Sequence, residues 1–161
     1  MGCWNHKIVN VLDRFAKKVQ SEARELLCRM PYADTRAECE RLKDEFKRRY
    51  GGKDYPKAAS TLENDWERMV TFYDFPKEHW VHLRTTNVVE SPFATVRLRT
   101  TAAKRFRNVT NATALIWKVL TVAEKRFRRL KGSHLLPDVY NRVPFKDGKR
   151  LHPSYETRLA A

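Results

Sequence analysis

Hydrophobic side chains recur every three or four residues along most of this chain, which is the spacing of amphipathic helices. The first series runs from Ile8 to Met30 and predicts a helix, continuous or broken near Gln20-Ser21, that ends before Pro31. Strict alternation of apolar and polar residues, the pattern of a half-buried strand, is almost absent. The pattern therefore predicts five helices and a mainly α fold.

Two further helices are predicted in the first half of the chain. The second takes Asp34 or Thr35 as its N-cap, with Glu38 in the capping-box position, and ends at Gly51-Gly52. The third begins with Pro56 at its first position. It ends at Phe75-Pro76. The predicted buried side chains of these two helices are Ala37, Leu42, Phe46, Tyr50, Leu62, Trp66, Met69 and Tyr73.

The last two predicted helices are followed by a tail. The fourth helix follows Thr85-Thr86-Asn87, and the fifth runs from about Thr110 to Lys131 and ends at Gly132. The tail from Pro137 to Ala161 has three prolines and scattered charge, which predicts an irregular, partly disordered extension. The predicted buried side chains are Val89, Phe93, Val96 and Ala103 in the fourth helix and Leu115, Ile116, Val119, Leu120, Ala123, Phe127 and Leu130 in the fifth.

Positive charge is concentrated in one stretch of the chain. Its 161 residues include 33 Lys and Arg against 19 Asp and Glu, a net charge of +14. Residues 84–131 hold 12 basic and 2 acidic side chains, whereas residues 1–83 and 132–161 each have a net charge of only +2. A stretch of one sign repels itself unless a polyanion neutralises it, so nucleic acid is the leading candidate partner. Charge alone leaves acidic protein and anionic lipid open.

Composition also indicates the cellular compartment in which the protein is expected. Three cysteines at irregular spacing, without a secretory segment, indicate a reduced intracellular protein. The apolar runs are far shorter than the roughly 20 residues that cross a bilayer. We therefore expect a cytoplasmic protein with no membrane partner.

Glu90 and Arg97 are the most informative pair of charged residues. They are seven positions apart, so in a continuous helix they lie on one side about 10 Å apart, and Lys104 extends the same line. A carboxylate beside phosphate-binding cations suits a divalent-metal site on DNA. The alternative is a capping box with Asn87 as the cap and Glu90 three residues on, and the spacing alone favours it because caps are far commoner than metal ligands.

Pro92 leaves two starts open for this helix. If Asn87 caps the helix, Pro92 falls inside it and removes a backbone hydrogen bond. If Ser91 is the cap, Pro92 takes the first helical position and Glu90 lies outside the helix.

Other candidate residues have simple structural interpretations. The basic residues at 125, 126, 128, 129 and 131 favour the end of the fifth helix through its macrodipole, or else they contact phosphate. Cys3-x-x-His6 and His79-x-x-His82 form a set that zinc accepts, but their wide separation favours ordinary packing. We expect the following side chains to be core residues: Cys28, Cys39, Trp66, Trp80 and Trp117.

The run Arg84-Thr85-Thr86-Asn87-Val88-Val89-Glu90-Ser91, followed by Arg97, closely resembles the TTN-x-x-E-S signature of Mutator-type transposases of bacterial insertion sequences. Upstream, Cys3-Trp4-Asn5-His6-Lys7 resembles that family's C-x-x-H segment. Tyr55-Pro56-Lys57-Ala58 and Phe72-Tyr73-Asp74-Phe75-Pro76 resemble the region between them. The resemblance covers residues 2 to about 150 and keeps the family's order.

The resemblance implies an RNase H-like core of the DDE type, in which two Asp and one Glu bind two divalent ions, Mg²⁺ or Mn²⁺. Glu90 then corresponds to the third acidic residue, Arg97 to the basic residue that follows it, and Cys3 and His6 to a structural pair. Residues 1–83 correspond to the C-x-x-H segment and a helical insertion, 84–131 to the basic C-terminal helices of the core, and 132–161 to an irregular tail.

The chain departs from the family pattern because it begins just before the C-x-x-H segment. The region that holds both catalytic aspartates is missing from it, and with that region most of the β-sheet. One Glu cannot hold two metal ions, so we expect this fragment to bind no metal tightly and not to transpose DNA.

We expect the fragment to retain binding to the DNA backbone with little preference among sequences. The expected partners are the insertion-sequence ends and the target DNA, and the expected location is the nucleoid. The expected contacts come from Arg97, Arg99, Lys104, Arg105 and Arg107, as one basic face. The first alternative is a non-catalytic interaction module that forms mixed oligomers with full-length transposase or pairs with itself. The second is a functionless pseudogene product.

Overall fold

A computed structural model describes residues 2–52, 54–127 and 129–151, with the side chains of residues 88 and 89 left aside. The fold is mainly α, as the periodicity predicts. The first helices are α1 (Trp4–Leu12), α2 (Lys17–Arg29), α3 (Arg36–Tyr50), α4 (Pro56–Glu63) and α5 (Trp66–Val70). They are followed by α6 (Trp80–Leu83), α7 (Asn87–Ala102), α8 (Val109–Glu124), α9 (Leu136–Tyr140) and the two-residue strands β1 (Phe145–Lys146) and β2 (Lys149–Arg150). Short 3₁₀ turns cover Met30–Tyr32, Thr71–Asp74, Lys77–His79 and Ser133–Leu135.

The chain divides into two compact units. Unit 1 comprises residues 1–85 and 131–161, and unit 2 comprises residues 86–130. Unit 1 contains a large core in which α1 packs on α2 and α4, and α3 packs on α2 and α4. Its largest fully buried side chains include Trp4, Trp80, Tyr73, Phe46, Phe72, Leu27 and Met30. Trp66 and Trp80 are buried, which confirms their predicted place in the core, and so is Cys39; Cys28 is half-buried.

The first predicted helix is two helices. The break lies at residues 13–16, earlier than the predicted position near Gln20-Ser21. Gln20 stabilises this break, because its side-chain amide donates hydrogen bonds to the carbonyls of Leu12 (3.0 Å) and Phe15 (3.2 Å). The periodicity continues through the break because Phe15 is buried on the same side as the helical residues.

The helix α3 begins as its capping signals predict. The Thr35 hydroxyl accepts a hydrogen bond from the Glu38 amide (3.2 Å), and the Glu38 carboxylate accepts one from the Asp34 amide (3.2 Å). Three of the four predicted buried positions are buried. The prediction for Ala37 is wrong: it is exposed, and Cys39 is buried instead.

The third predicted helix is also interrupted, since Asp65 takes a left-handed conformation (φ 57°) between α4 and α5. Its four predicted apolar side chains are nevertheless buried.

The tail contains structure that its composition does not predict. Residues 145–150 form an antiparallel hairpin that pairs Phe145 with Arg150. Gly148 (φ 76°) hydrogen-bonds through its amide to the Tyr73 carbonyl (3.2 Å) and through its carbonyl to the Lys77 amide (3.3 Å). The Asp147 carboxylate accepts a hydrogen bond from the Arg36 amide at the start of α3 (2.7 Å). The prediction of an irregular tail is therefore wrong for the 3₁₀ turn Ser133–Leu135, for α9 (Leu136–Tyr140) and for the hairpin at 145–150, and the prediction for 152–161 lies outside the described residues.

Unit 2 is a pair of helices, α7 and α8, that pack against each other. Val96 of α7 is buried, but α8 has no fully buried residue. The helix α8 begins at an Asn108 cap, whose side chain accepts a hydrogen bond from the Asn111 amide (2.8 Å), and it ends at Glu124, earlier than predicted. None of the helices among the described residues combines the length and the hydropathy needed to cross a bilayer.

Several predicted core positions in unit 2 are wrong. Phe93 is 51% exposed, Ala103 and Phe127 are also exposed, and Trp117 is 72% exposed. Two helices have too little surface to cover every apolar side chain that they carry. The prediction for Val89 lies outside the described side chains.

Candidate nucleic-acid interface

Glu90 lies in the first turn of α7. The helix starts at Asn87 and continues through Pro92, so both predicted N-caps, Asn87 and Ser91, are wrong. The Glu90 amide donates to the Thr86 carbonyl (2.9 Å), which makes Thr86 the residue before the first turn. Pro92 lies inside the helix, where it lacks the backbone donor of an i→i−4 hydrogen bond, and α7 continues past it to Ala102. The carboxylate is therefore held on a helix.

The Glu90 side chain is half-buried and accepts a hydrogen bond from the Thr86 hydroxyl, four residues before it. This contact fixes the carboxylate beside the N-terminus of α7, where the helix macrodipole favours negative charge. A carboxylate oriented in this way presents anionic oxygen, the type of ligand that Mg²⁺ prefers.

Arg97 lies on the same side of α7 as Glu90. Both line one shallow depression, together with Asn87, Ser91 and Ala94. The seven-residue separation places their Cα atoms about 10 Å apart along the helix axis. Arg97 is exposed, so its guanidinium is available to an anion that approaches Glu90 from solvent.

The remaining predicted cations do not extend that face. Arg99 is two residues from Arg97 and points to another side of α7. The helix ends at Ala102, and Lys104 has a left-handed conformation (φ 56°), so the chain turns away from the helix axis there. Arg105 and Arg107 follow in the exposed segment before α8. Lys104 therefore does not continue the line of Glu90 and Arg97 along α7, and the single basic face of the five exposed cations stays a prediction.

The basic cluster after residue 124 also differs from its prediction. Because α8 ends at Glu124, Lys125 and Arg126 follow the helix as exposed turn residues, and Arg129 and Lys131 lie farther along the chain. They are not the last turns of a helix. Arg128 lies outside the described residues.

Cys3 and His6 belong to the start of α1, where Cys3 is the residue before the first turn. Cys3 is half-buried and His6 is exposed. The neighbouring Trp4 is anchored firmly: its indole N–H donates to the Met69 carbonyl (3.0 Å), and its amide donates to the Arg84 carbonyl (2.9 Å). The C-x-x-H segment is thus joined to the residue at which the TTN motif begins.

The second histidine pair has backbone partners. The Nε2 atom of His79 lies 2.9 Å from the Gly132 carbonyl, and His82 Nε2 accepts a hydrogen bond from the Lys131 amide (3.1 Å). Both contacts attach the chain where it re-enters unit 1. No group of three or more His, Cys, Asp or Glu side chains converges among residues 2–52, 54–127 and 129–151, so the zinc interpretation has no support there.

Arg84 is a candidate functional residue that the spacing of charged residues did not identify. Its guanidinium carbon lies 5.0 Å from the centre of the Tyr32 ring, 5.4 Å from Phe72 and 5.5 Å from Trp80. Burial lowers the pKa of this guanidinium, although the nearby Tyr73 opposes the shift. Its position at the head of the TTN motif is the sequence signal that would have singled it out.

The model of the Mutator family of transposases matches residues 2–129, which is most of the chain. The chain belongs to this transposase family. This chain is 42% identical over 146 residues to the transposase for insertion sequence element IST2 of Acidithiobacillus ferrooxidans. The match covers 91% of this chain and 49% of that protein. This chain is 35% identical over 149 residues to the transposase for insertion sequence element IS6120 of Mycolicibacterium smegmatis, covering 92% and 46%.

A third relative, the transposase for insertion sequence element ISRM5 of Rhizobium meliloti (strain 1021), is 27% identical over 118 residues, covering 71% of this chain and 28% of that protein. This chain thus spans about half the length of the first two relatives. No solved structure gives a significant match. The family resemblance inferred from the TTN and C-x-x-H motifs is confirmed.

Proposed function

We propose that this chain is the part of an insertion-sequence transposase that supplies Glu90 as the third carboxylate of the catalytic set and binds the DNA backbone at the nucleoid. The observation that carries the proposal is that Glu90 and the exposed Arg97 share one face of α7. Membership of the Mutator family supports it. The concentration of positive charge in residues 84–131 supports it independently of the family.

Glu90 fits the divalent ion only as one ligand. Mg²⁺ or Mn²⁺ takes several oxygen ligands, and among the described residues no group of three or more His, Cys, Asp or Glu side chains that could hold a metal ion includes Glu90. We therefore propose that the 161-residue chain binds no metal tightly and does not cleave DNA by itself.

Incubation of the purified chain with duplexes that carry insertion-sequence ends, in Mg²⁺ or Mn²⁺, tests this part. We expect neither nicked nor joined strands on a denaturing gel. Any strand cleavage that disappears in the Glu90→Gln variant would show that the chain assembles a complete site.

DNA binding by the five cations gives a quantitative expectation. If Arg97, Arg99, Lys104, Arg105 and Arg107 each neutralise one phosphate, the logarithm of the binding constant falls with a slope of about −4.5 against the logarithm of salt concentration. Between 50 and 200 mM salt the affinity then falls roughly 500-fold. Fluorescence anisotropy with duplexes of unrelated sequence measures this slope, and we expect little difference among sequences.

A matched pair of variants assigns the binding to unit 2. The double variant Arg105→Ala, Arg107→Ala should reduce the magnitude of the slope by about 2. The control Lys18→Ala, Arg24→Ala removes the same charge from exposed positions of α2 in unit 1 and should leave the slope unchanged. An affinity that is equal at both salt concentrations, or an equal effect of the two double variants, contradicts the proposal.

A second candidate function is an interaction module that pairs with itself or with full-length transposase. It is favoured by Phe93 and Leu98 of α7, which are 51% and 69% exposed. Co-purification of the tagged chain with an intact transposase from the same cell tests it. Loss of the complex in Leu98→Ser would support this function, and absence of any complex would oppose it.

A further inference from the structure

The helix α8 has two apolar faces of different character. One face carries the half-buried Leu115, Ile116, Val119 and Leu120, and α8 packs against α7. The other face is exposed and includes Trp117. A shallow depression on this second face is lined by Val109, Thr110, Thr113, Ala114 and Trp117.

Trp117 is exceptional among the tryptophans of the chain. The sequence contains four, and Trp4, Trp66 and Trp80 are each 7% exposed or less, whereas Trp117 is 72% exposed. Helical side chains lean towards the N-terminus, so the indole lies over the turn that carries Thr113 and Ala114. These side chains are small, and they leave the indole accessible.

The charges around this face favour a polyanion on one side of Trp117. Arg105 and Arg107 are exposed just before α8. They add to the positive end of the helix macrodipole. From Val109 to Thr121 the face carries no carboxylate, and Glu124 lies two turns beyond Trp117. A strand that contacts the two arginines therefore meets the indole about 12 Å along the helix from Val109, before it meets the acidic residue.

We propose that Trp117 is a stacking platform for an unpaired nucleobase of single-stranded DNA whose phosphates contact Arg105 and Arg107. This inference rests on the DNA binding proposed above and adds a preference for single strands. Aromatic side chains stack on any base, because every base has a π-face, but in an intact duplex those faces are already stacked. The exposed indole thus has a use in single-strand binding that it lacks in binding to duplex phosphates.

Intrinsic fluorescence of the full chain tests the proposal directly. Because Trp117 is the exposed tryptophan, an oligothymidylate should quench the fraction of emission that iodide also quenches, and a duplex of equal length should not. A fully abasic strand of the same length carries the same phosphates without bases. We expect the wild-type chain to bind oligothymidylate about 5-fold to 150-fold more tightly than the abasic strand.

Variants of α8 separate stacking from charge. Trp117→Ala should abolish the preference for bases while it leaves the affinity for the abasic strand unchanged, and Trp117→Phe should retain part of the preference. Val122→Ala is the matched control, since it shortens another exposed apolar side chain of the same helix and should change neither affinity.

Each other outcome overturns the inference in a distinguishable way. If salt-sensitive binding persists but Trp117→Ala keeps the preference, the stacking platform is wrong and the proposed DNA binding stands. If no nucleic acid binds, both are wrong. If the DNA-free chain is a dimer in which iodide cannot reach Trp117, a second copy covers this face and the nucleobase is not its occupant.

Discussion

Replacement of Trp4 by Phe tests whether the C-x-x-H segment is part of the core of unit 1. Trp4 is 1% exposed, its indole donates a hydrogen bond to the Met69 carbonyl (3.0 Å), and its ring makes an edge contact with Trp66 at 5.8 Å. Phe retains an aromatic ring but has no donor, so the buried carbonyl loses this partner at a cost of about 1–3 kcal/mol. The smaller ring leaves a cavity that costs about 1 kcal/mol more. We therefore expect Trp4→Phe to lower the free energy of unfolding by about 2–4 kcal/mol.

Urea unfolding followed by far-UV circular dichroism measures this change. The matched control is Trp117→Phe, the same substitution at an exposed position, which should change the free energy by less than about 0.5 kcal/mol. A free energy for Trp4→Phe within about 0.5 kcal/mol of the wild type, at an unchanged dependence on urea, would refute the assigned role of the buried hydrogen bond.

Two further predictions concern unit 1. Gly132→Ala should lower the free energy of unfolding by about 1–3 kcal/mol, because Gly132 has φ 66° and an added Cβ would lie 2.7 Å from the Glu78 Cβ. The control is Gly52→Ala, because nothing lies within 4 Å of a Cβ added at Gly52. Thermal unfolding measures both variants, and an equal effect of the two would contradict this account. Burial raises the pKa of the Cys39 thiol to about 12, so this thiol stays protonated at pH 8. It should react with a thiol reagent only after unfolding, later than the half-buried Cys3 and Cys28. Labelling followed by peptide mass analysis measures the order, and simultaneous reaction of all three cysteines would contradict the prediction.

The features that could be predicted from the sequence are those set by neighbouring residues. Thr35 and Glu38 mark the start of α3 because a cap and its partner are only three residues apart. Pro56 begins α4 as predicted, since proline lacks the donor that a first helical residue does not use. Apolar side chains at helical spacing identify most of the core of unit 1 for the same reason.

The features that were missed depend on residues far apart in the chain. The hairpin of the tail is held by contacts of Gly148 with Tyr73 and Lys77, and of Asp147 with Arg36. No local pattern at residues 145–150 reports these distant partners. A segment with scattered charge and several prolines therefore has the composition of a disordered tail even though it folds against a core.

The candidate site also has some features that the sequence predicts and others that it does not. Glu90 and Arg97 share a face because both belong to α7; their spacing predicts this for a continuous helix, but Pro92 left the start of that helix open. The places of Lys104 and Arg105 depend instead on a left-handed turn at a non-glycine residue, which no spacing rule predicts. Periodicity likewise counts Trp117 as apolar without saying which side of α8 is covered. Since the described residues of unit 2 form two helices, one apolar side of α8 is left exposed, and this is why the Trp117 variants test what binds there.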